Sequence, residues 1–190
     1  KEAKIISVKE IKDNETIDVG LFCSIRPLKN MLIQAMAAIV FADSIDKKLR
    51  LYINSGRTEQ GGESALKNIR SLFKDSKHEL IELDWLKHNN FIKLVRKIDL
   101  NLQVSFSESF NIVAADGVFN DIPTVGSHEI EWLNGLFKAR PTDLEDILFK
   151  MFTAYYGRWF GLHNLNKNNL LAHNKKAIKE WLNWIDLRRV

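Results

Sequence analysis

The chain has 190 residues, of which 45% are hydrophobic and 27% are charged, and its formal net charge is +4. This composition is typical of one globular domain with a sizeable core, and the sequence contains no apolar run long enough to cross a membrane. The single cysteine, Cys23, excludes an internal disulfide and a multi-cysteine metal site, and a buried core thiol is the favoured interpretation.

Five apolar runs alternate with helix-like stretches over most of the chain. A short apolar run rich in β-branched residues indicates a buried strand, and apolar residues three or four positions apart indicate a helix. A strand followed by a helix, repeated along the chain, is typical of an α/β fold with a parallel sheet. We predict strands over 17–25, 49–55, 78–83, 100–106 and 122–127, with helices over 28–45, 62–74, 88–98 and 111–120 between them.

The pattern changes after Ala139, where the apolar runs at strand spacing end. Two helices are predicted in this part of the chain, over 142–161 and 175–187. Thr142 is expected to cap the first of them, because a threonine hydroxyl can accept a hydrogen bond from a backbone N–H group of the first turn.

The whole chain, 1–190, is predicted to form a single domain. Its core over 15–160 is an α/β, Rossmann-like parallel sheet with helices on both faces, and 161–190 is a C-terminal helical extension. The tryptophan-rich stretch 181–184 and the basic pair at 188–189 leave two alternatives for this extension. One is binding to a membrane surface, and the other, which we favour, is packing on this domain or on a partner domain.

The loops that follow the predicted strands form the candidate site, because ligands of such sheets bind beyond the carboxyl ends of the strands. Arg26 and Lys29 follow the first strand directly. Two cations at this place can neutralise a diphosphate, the arginine with two parallel hydrogen bonds, and the alternative is a solvated loop with a proline turn. The other candidate loops are 56–62, 84–90, 107–111 and 127–132.

Two carboxylates stand in an otherwise apolar segment. Glu108 precedes the helix predicted over 111–120, and Asp116 lies within that helix. The first turn of a helix offers free N–H groups and a positive dipole end, where phosphates bind, so Glu108 has the alternative role of stabilising the dipole. Asp116 has apolar neighbours, and because burying an unpaired carboxylate is costly, we expect it to have a partner. A ligand hydroxyl is one candidate.

The segment Glu108–Ser127 resembles the signature of the group-one glycosyltransferase family, whose enzymes have the two-domain GT-B fold. The family pattern begins Glu-Gly-Phe-Gly, has a second acid eight residues after the first, and ends in a strand with the pattern Gly-x-Pro-Val-Val-x-Ser. Glu108 and Asp116 match the two acids, Phe110 matches the phenylalanine, and Ile122–Ser127 matches the strand. The resemblance implies that this chain is one half of a GT-B enzyme, the donor-binding C-terminal domain.

The resemblance also implies a role for each candidate residue. The loop that contains Arg26 and Lys29 is similar to the family's Arg…Lys-Gly loop, which implies that both side chains hold the nucleotide diphosphate and stabilise the departing charge. Glu108 would contact the donor sugar, and Asp116 would accept hydrogen bonds from the ribose hydroxyls. The implied catalytic residues are Glu108, Arg26 and Lys29, and the implied donor-binding residues are Asp116, Ser109, Phe110, Asn111 and Ile112, with the backbone N–H groups of the last three receiving the phosphate nearest the sugar.

The implied reaction transfers a sugar from a nucleotide-diphosphate sugar to an unknown acceptor, with retention at the anomeric carbon. Enzymes of this kind need no bound metal, and we expect neither a metal nor another cofactor. The implied partner is an N-terminal acceptor-binding domain missing from this chain, so we expect the domain alone to be inactive. We also expect a cytoplasmic location, no membrane contact and, because no basic block with interleaved aromatic residues is present, no nucleic-acid binding.

Two alternative functions remain open. Asp116 stands in place of the second glutamate of the family pattern, and Ser109 and Asn111 stand in place of its two glycines. These differences favour a degenerate, non-catalytic domain used for nucleotide binding or protein interaction. A generic doubly wound domain, such as a flavin-binding or regulatory module, fits the alternation of strands and helices but leaves Glu108 and Asp116 unexplained.

Overall fold

The computed structural model describes residues 15–187, which contain six strands, six α-helices and three short 3₁₀ helices. The basic pair at 188–189 lies outside these residues. The strands are β1 (Thr16–Leu21), β2 (Lys48–Asn54), β3 (Glu79–Leu83), β4 (Leu100–Gln103), β5 (Thr124–Ser127) and β6 (Lys138–Ala139), and the helices are α1 (Met31–Ser44), α2 (Glu63–Phe73), α3 (His88–Val95), α4 (Ile112–Phe119), α5 (Leu144–Gly157) and α6 (Asn164–Leu187).

The six strands pair in parallel in a single sheet, in the order β3-β2-β1-β4-β5-β6. The chain moves outward from β1 through β2 to β3, returns to place β4 on the other side of β1, and then moves outward again. The strand order therefore reverses between β1 and β4, where Val19 pairs with Leu100. In open α/β sheets this is the place at which ligands bind.

Helices cover the sheet on both faces. Helix α1 contacts α2 and α5, and helix α4 contacts α3 and α6. All four residues of β4 and all four of β5 are buried, which is expected of parallel strands covered on two faces. The predicted α/β, Rossmann-like fold with additional C-terminal helices is confirmed.

Some predicted boundaries are wrong because local contacts override the apolar pattern. Strand β1 ends at Leu21 rather than at residue 25, since Ile25 forms an isolated parallel bridge with the loop after β2. Thr142 does not cap α5. Asp143 does so instead, and its carboxylate accepts a hydrogen bond from the Asp146 backbone N–H at 3.0 Å.

The C-terminal third of the chain differs from the prediction in three further ways. Strand β6 (Lys138–Ala139) was not predicted, because two residues are too few to give a pattern. Helix α5 ends at Gly157 rather than at residue 161, and a turn of 3₁₀ helix follows it. Helix α6 begins at Asn164, well before the predicted start at residue 175.

Only the first turns of α6 join the core. Leu170 is buried, and the buried side chain of Asn166 donates a hydrogen bond to the Thr124 carbonyl at 3.3 Å. The later turns are largely exposed and carry Trp181 and Trp184, whose rings pack edge to face. A domain boundary between residues 160 and 161 stays a prediction. Among residues 15–187, no helix has the length and apolar character needed to cross a membrane.

Candidate functional site

Two adjoining cavities open at the carboxyl ends of β1, β2, β3 and β4. The first has a volume of about 250 Å³ and the second about 200 Å³, and they share a wall formed by Asn54, Trp85, Ile112 and Val113. We call the two together the cleft. The first cavity is also lined by Phe22, Cys23, Ser24, Arg26, Lys29, Arg57, Gln103, Glu108 and Asn111, and the second by Leu86, His88, Phe91 and Asp116.

An ion pair between Lys29 and Glu108 lies in the first cavity. The two residues are 79 positions apart in the sequence, and their side chains are only 10% and 7% exposed. The Glu108 oxygen that accepts from the Lys29 ammonium also accepts from the Ser105 hydroxyl at 2.9 Å. A cation and a carboxylate are thus held together at the point where the strand order reverses.

The loop that carries Lys29 is fixed to the end of β4. Asn30 has a left-handed backbone with a φ of 52°, and its side-chain amide donates to the Val104 carbonyl at 3.1 Å and to the Pro141 carbonyl at 2.7 Å. Gln34 donates to the Lys29 carbonyl at 2.8 Å and accepts from the Val104 N–H at 2.7 Å. Because these amides are buried and satisfied, Lys29 has a rigid support.

Arg26 stands at the edge of the same cavity with an unmet hydrogen-bonding group. Its Nε is buried and has no partner among the described residues, and its NH1 lies 3.8 Å from a Glu59 carboxylate oxygen. A buried donor without an acceptor costs about 1–3 kcal/mol, so a ligand that supplies an acceptor here would be stabilised.

The loops after β1 and β2 are joined by backbone contacts. The Ile25 N–H donates to the Arg57 carbonyl at 2.9 Å, and the Glu59 N–H donates to the Ile25 carbonyl at 2.8 Å. Gly62 packs so closely on Ile25 that a Cβ atom at this position would overlap with the Ile25 carbonyl group. The backbones that carry Arg26 and Arg57 are therefore held at a fixed separation.

Replacement of Gly62 by alanine should destabilise the domain by about 1–3 kcal/mol, because the new methyl group must displace backbone atoms. Urea unfolding of the wild type and of Gly62→Ala measures the difference. The control is Gly135→Ala, since a Cβ atom at Gly135 meets no atom within 4 Å. Equal stability of the two variants would show that Gly62 does not join the loops.

Helix α4 begins beside the Lys29–Glu108 pair. Its N-cap, Asn111, has a φ of 54°, and its side-chain oxygen accepts from the Ala114 N–H at 2.8 Å. The same side chain donates to the Gln103 oxygen at 3.1 Å. The N–H groups of Ile112 and Val113 have no acceptor among the described residues. These two donors are therefore available to an anion, as is usual in the first turn of a helix.

Two of the implied donor-binding residues stand outside this first turn. Phe110 precedes the N-cap, and its carbonyl accepts a hydrogen bond from the Trp132 indole N–H at 2.6 Å. Ser109 is exposed and does not line the cleft. The structure therefore places Ile112 and Asn111 next to the cleft and gives Phe110 a packing role against Trp132.

Asp116 lies on the wall of the second cavity. The expectation that apolar neighbours enclose it is wrong: its side chain is 21% exposed and lies 3.2 Å from His88 Nε2. The apolar residues of helix α4 are not all explained by burial, because Ile112 and Phe119 are exposed. Ile112 lines the cleft, so part of the apolar surface of this helix faces the two cavities.

Cys23 is half-buried and lines the first cavity. Burial raises the pKa of its thiol to about 12, partly offset by the nearby Lys29 ammonium. The thiol is therefore protonated at neutral pH, which agrees with a structural role rather than with a nucleophile. Among residues 15–187 no group of three or more His, Cys, Asp or Glu side chains could hold a metal ion.

Sequence reasoning did not single out Arg57 and Trp85, which line the cleft, or Glu59, which contacts Arg57 from outside it. The Arg57 guanidinium lies 5.3 Å from the centre of the Trp85 ring and forms an ion pair with Glu59 at 2.5 Å. Arg57 and Glu59 follow β2 and Trp85 follows β3, so the rule that ligands bind after the strands points to their loops. It does not single out these side chains, because the distances that join them come from the folded chain.

The chain has the fold of the C-terminal domain of GT-B glycosyltransferases. The solved C-terminal domain of a glycosyl transferase group 1 family protein from Francisella tularensis is similar, with a TM-score of 0.67 and 14% identity over 82% of this chain and 85% of that one. The catalytic domain of cholesterol-alpha-glucosyltransferase from Helicobacter pylori gives a TM-score of 0.66 and 14% identity over 82% of this chain and 98% of that one.

Whole enzymes of this class are longer than the chain. An alpha,alpha-trehalose-phosphate synthase (UDP-forming) from Burkholderia vietnamiensis gives a TM-score of 0.66 and 13% identity, and the match covers 93% of this chain but 46% of that one. No protein-family model and no curated protein matches the sequence. The likeness at these identities is one of fold, and at that level the resemblance to group-one glycosyltransferases is confirmed.

Proposed function

We propose that the chain is the nucleotide-sugar donor-binding domain of a retaining glycosyltransferase. The observation that carries this proposal is the convergence of Arg26, Lys29, Glu108 and Asp116 on one cleft at the point where the strand order reverses. These residues come from three different segments, and each supplies a group that a nucleotide-diphosphate sugar requires. The similar fold of known glycosyltransferase domains supports the same assignment.

The diphosphate binds in the first cavity. The Arg26 guanidinium and the Lys29 ammonium neutralise its charge, and the free N–H groups of Ile112 and Val113 receive one phosphate at the start of α4. During transfer the bond from the anomeric carbon to the phosphate oxygen breaks, the bond to the acceptor oxygen forms with retention, and the proton of the acceptor hydroxyl passes to the departing diphosphate. The same cations stabilise the charge that develops on the departing nucleoside diphosphate.

Glu108 contacts the donor sugar. Lys29 and Ser105 bind one of its carboxylate oxygens, which leaves hydrogen-bonding capacity for sugar hydroxyls on the other. The nucleoside occupies the second cavity. Asp116 accepts from the ribose hydroxyls there, and the base packs against the apolar surfaces of Trp85 and Phe91.

Acceptor recognition requires a further domain, because this chain spans less than half the length of the trehalose-phosphate synthases that it matches. The partner we propose is an N-terminal acceptor-binding domain, and the 190-residue chain alone is then inactive in transfer.

The second candidate function is nucleotide binding without catalysis. It is favoured by the Lys29–Glu108 pair, in which two groups assigned to catalysis satisfy each other. Transfer by the chain together with its partner domain excludes this second candidate.

Replacement of Arg26 by alanine tests the phosphate site. The variant should bind a nucleoside diphosphate about tenfold or more weakly, since charge-assisted hydrogen bonds contribute about 1.5–3 kcal/mol. Binding of the nucleoside alone should change little, because the nucleoside lacks the phosphates that Arg26 contacts. Calorimetric titration of both ligands into both proteins gives the comparison, and equal losses for the two ligands would place Arg26 outside the phosphate site.

A further inference from the structure

Two contacts hold the Arg57 guanidinium at the cleft and a third holds its backbone. Its Nε donates to Glu59 at 2.5 Å, its guanidinium covers the face of the Trp85 ring, and its backbone carbonyl accepts from the Ile25 N–H. Glu59 also approaches Arg26, so one carboxylate joins two arginines that come from neighbouring loops. Both arginines line the first cavity, whereas Glu59 does not.

Both arginines of this cavity wall have unused donors. The buried Arg26 Nε has no partner, and for the two terminal nitrogens of Arg57 no acceptor occurs among residues 15–187. Glu108 is the carboxylate that lines this cavity, and it is already paired with Lys29. Two guanidiniums therefore present a surplus of positive charge and free N–H groups to the cleft, which is the arrangement that binds a phosphate bidentately.

Glu59 is ionised at neutral pH, because the hydrogen bond from Arg57 lowers the pKa of its carboxyl group, with smaller contributions from Ser24 and Arg26. Glu59 contacts both arginines but does not line the cavity, and this position decides which of two roles its carboxylate can have. A carboxylate inside the cavity would compete with an anionic ligand, whereas a carboxylate outside it restricts the arginine rotamers and lowers the entropy lost on binding. The geometry corresponds to the second case.

We propose that Arg57 is a further diphosphate-binding residue and that Glu59 is a positioning residue that orients Arg57 and Arg26 toward the ligand. This inference rests on the proposed function, since it assigns the ligand of the same cleft. It adds a third cation, from the loop after β2, to the two from the loop after β1.

The chain offers a closely matched control pair. Arg70 and Glu82 form a bidentate ion pair whose side chains are 54% and 30% exposed, against 53% and 27% for Arg57 and Glu59. Neither Arg70 nor Glu82 lines the cleft. A general effect of charge or of a lost surface ion pair should therefore be the same in both pairs.

The experiment compares Arg57→Gln, Glu59→Gln and the double variant with Arg70→Gln and Glu82→Gln. Calorimetry measures the affinity of UDP, GDP and ADP, of the corresponding nucleosides, and of inorganic pyrophosphate, and thermal unfolding confirms that each variant is folded. We expect Arg57→Gln to weaken diphosphate and pyrophosphate binding about tenfold, as one charge-assisted contact is lost, and to leave nucleoside binding unchanged.

The Glu59→Gln variant decides between positioning and competition. It should also weaken diphosphate binding, and its effect should be smaller in the presence of Arg57→Gln, because Arg26 is then the one arginine left for Glu59 to orient and residues that act through one another are not additive. Tighter binding by Glu59→Gln, or an effect of Arg57→Gln no larger than that of Arg70→Gln, would overturn the inference while wild-type binding of a diphosphate still supports the proposed function. A wild-type protein that binds none of the diphosphates would contradict both.

Discussion

Replacement of Lys29 by methionine is expected to cost about 3–5 kcal/mol of folding free energy, since removal of one partner from a buried ion pair leaves the other charge uncompensated. Methionine keeps most of the side-chain volume, so the loss arises from Glu108, whose carboxylate is left with the Ser105 hydroxyl. Urea unfolding of the wild type and of Lys29→Met measures the difference. The matched control is Lys48→Met, which breaks the exposed Lys48–Glu79 pair and should cost less than about 1 kcal/mol.

A second variant separates the charge from the packing. The double variant Lys29→Met/Glu108→Gln removes both charges and should recover a large part of the lost stability, because replacement of a whole buried ion pair by neutral groups is often close to neutral. It should not recover diphosphate binding. If Lys29→Met unfolds at the same urea concentration as Lys48→Met, the Lys29–Glu108 pair is not the buried contact described above.

Replacement of Asp116 by asparagine is expected to weaken nucleotide binding about tenfold or more, since hydrogen bonds to a charged acceptor contribute about 1.5–3 kcal/mol. The ionised carboxylate can accept from both ribose hydroxyls, whereas the amide has a single acceptor oxygen. The domain should remain folded, because an amide is less costly to desolvate than a carboxylate. Calorimetric titration of a ribonucleotide and of its 2′-deoxy form into both proteins measures the effect.

The control for this prediction is His88→Gln, which removes the ring that approaches Asp116 without changing the carboxylate. This variant should keep the preference for the ribonucleotide. If the wild type and Asp116→Asn both bind the two forms of the nucleotide equally, Asp116 does not contact the ribose, and His88 is then the only partner of its carboxylate among the described residues.

The central sheet could be predicted because buried parallel strands leave short apolar runs in the sequence. β2, β3 and β5 follow such runs closely, β1 and β4 begin where predicted but end three or four residues early, and the two residues of β6 are too few to give a pattern. Helix ends were less predictable. Thr142 and Asp143 are both good capping residues, and only the folded chain places the carboxylate of Asp143 within reach of a free N–H group.

The candidate site was predictable as a set of loops but not as a network of contacts. The sequence placed four residues near the carboxyl ends of the strands, and all four line the cleft there: Arg26, Lys29, Glu108 and Asp116. The pairing of Lys29 with Glu108 joins residues far apart in sequence, and no local pattern reports it.

Asp116 shows the opposite error. The apolar neighbours of Asp116 in the sequence predict an enclosed carboxylate, although an apolar surface can also face a cleft. Ile112, which is 70% exposed and lines both cavities, is the residue that makes this difference visible.

The most direct test of the donor-domain proposal is calorimetric titration of the wild-type chain with UDP, GDP and ADP and with the three corresponding nucleosides. The cleft joins the cavity lined by Asp116 to a cavity that carries Arg26, Lys29 and two free N–H groups of α4. We therefore predict that at least one diphosphate binds with one-to-one stoichiometry and about tenfold or more tightly than its nucleoside. The absence of binding by all three diphosphates, or equal affinities for each diphosphate and its nucleoside, would contradict the assignment of this cleft as a nucleotide-sugar site.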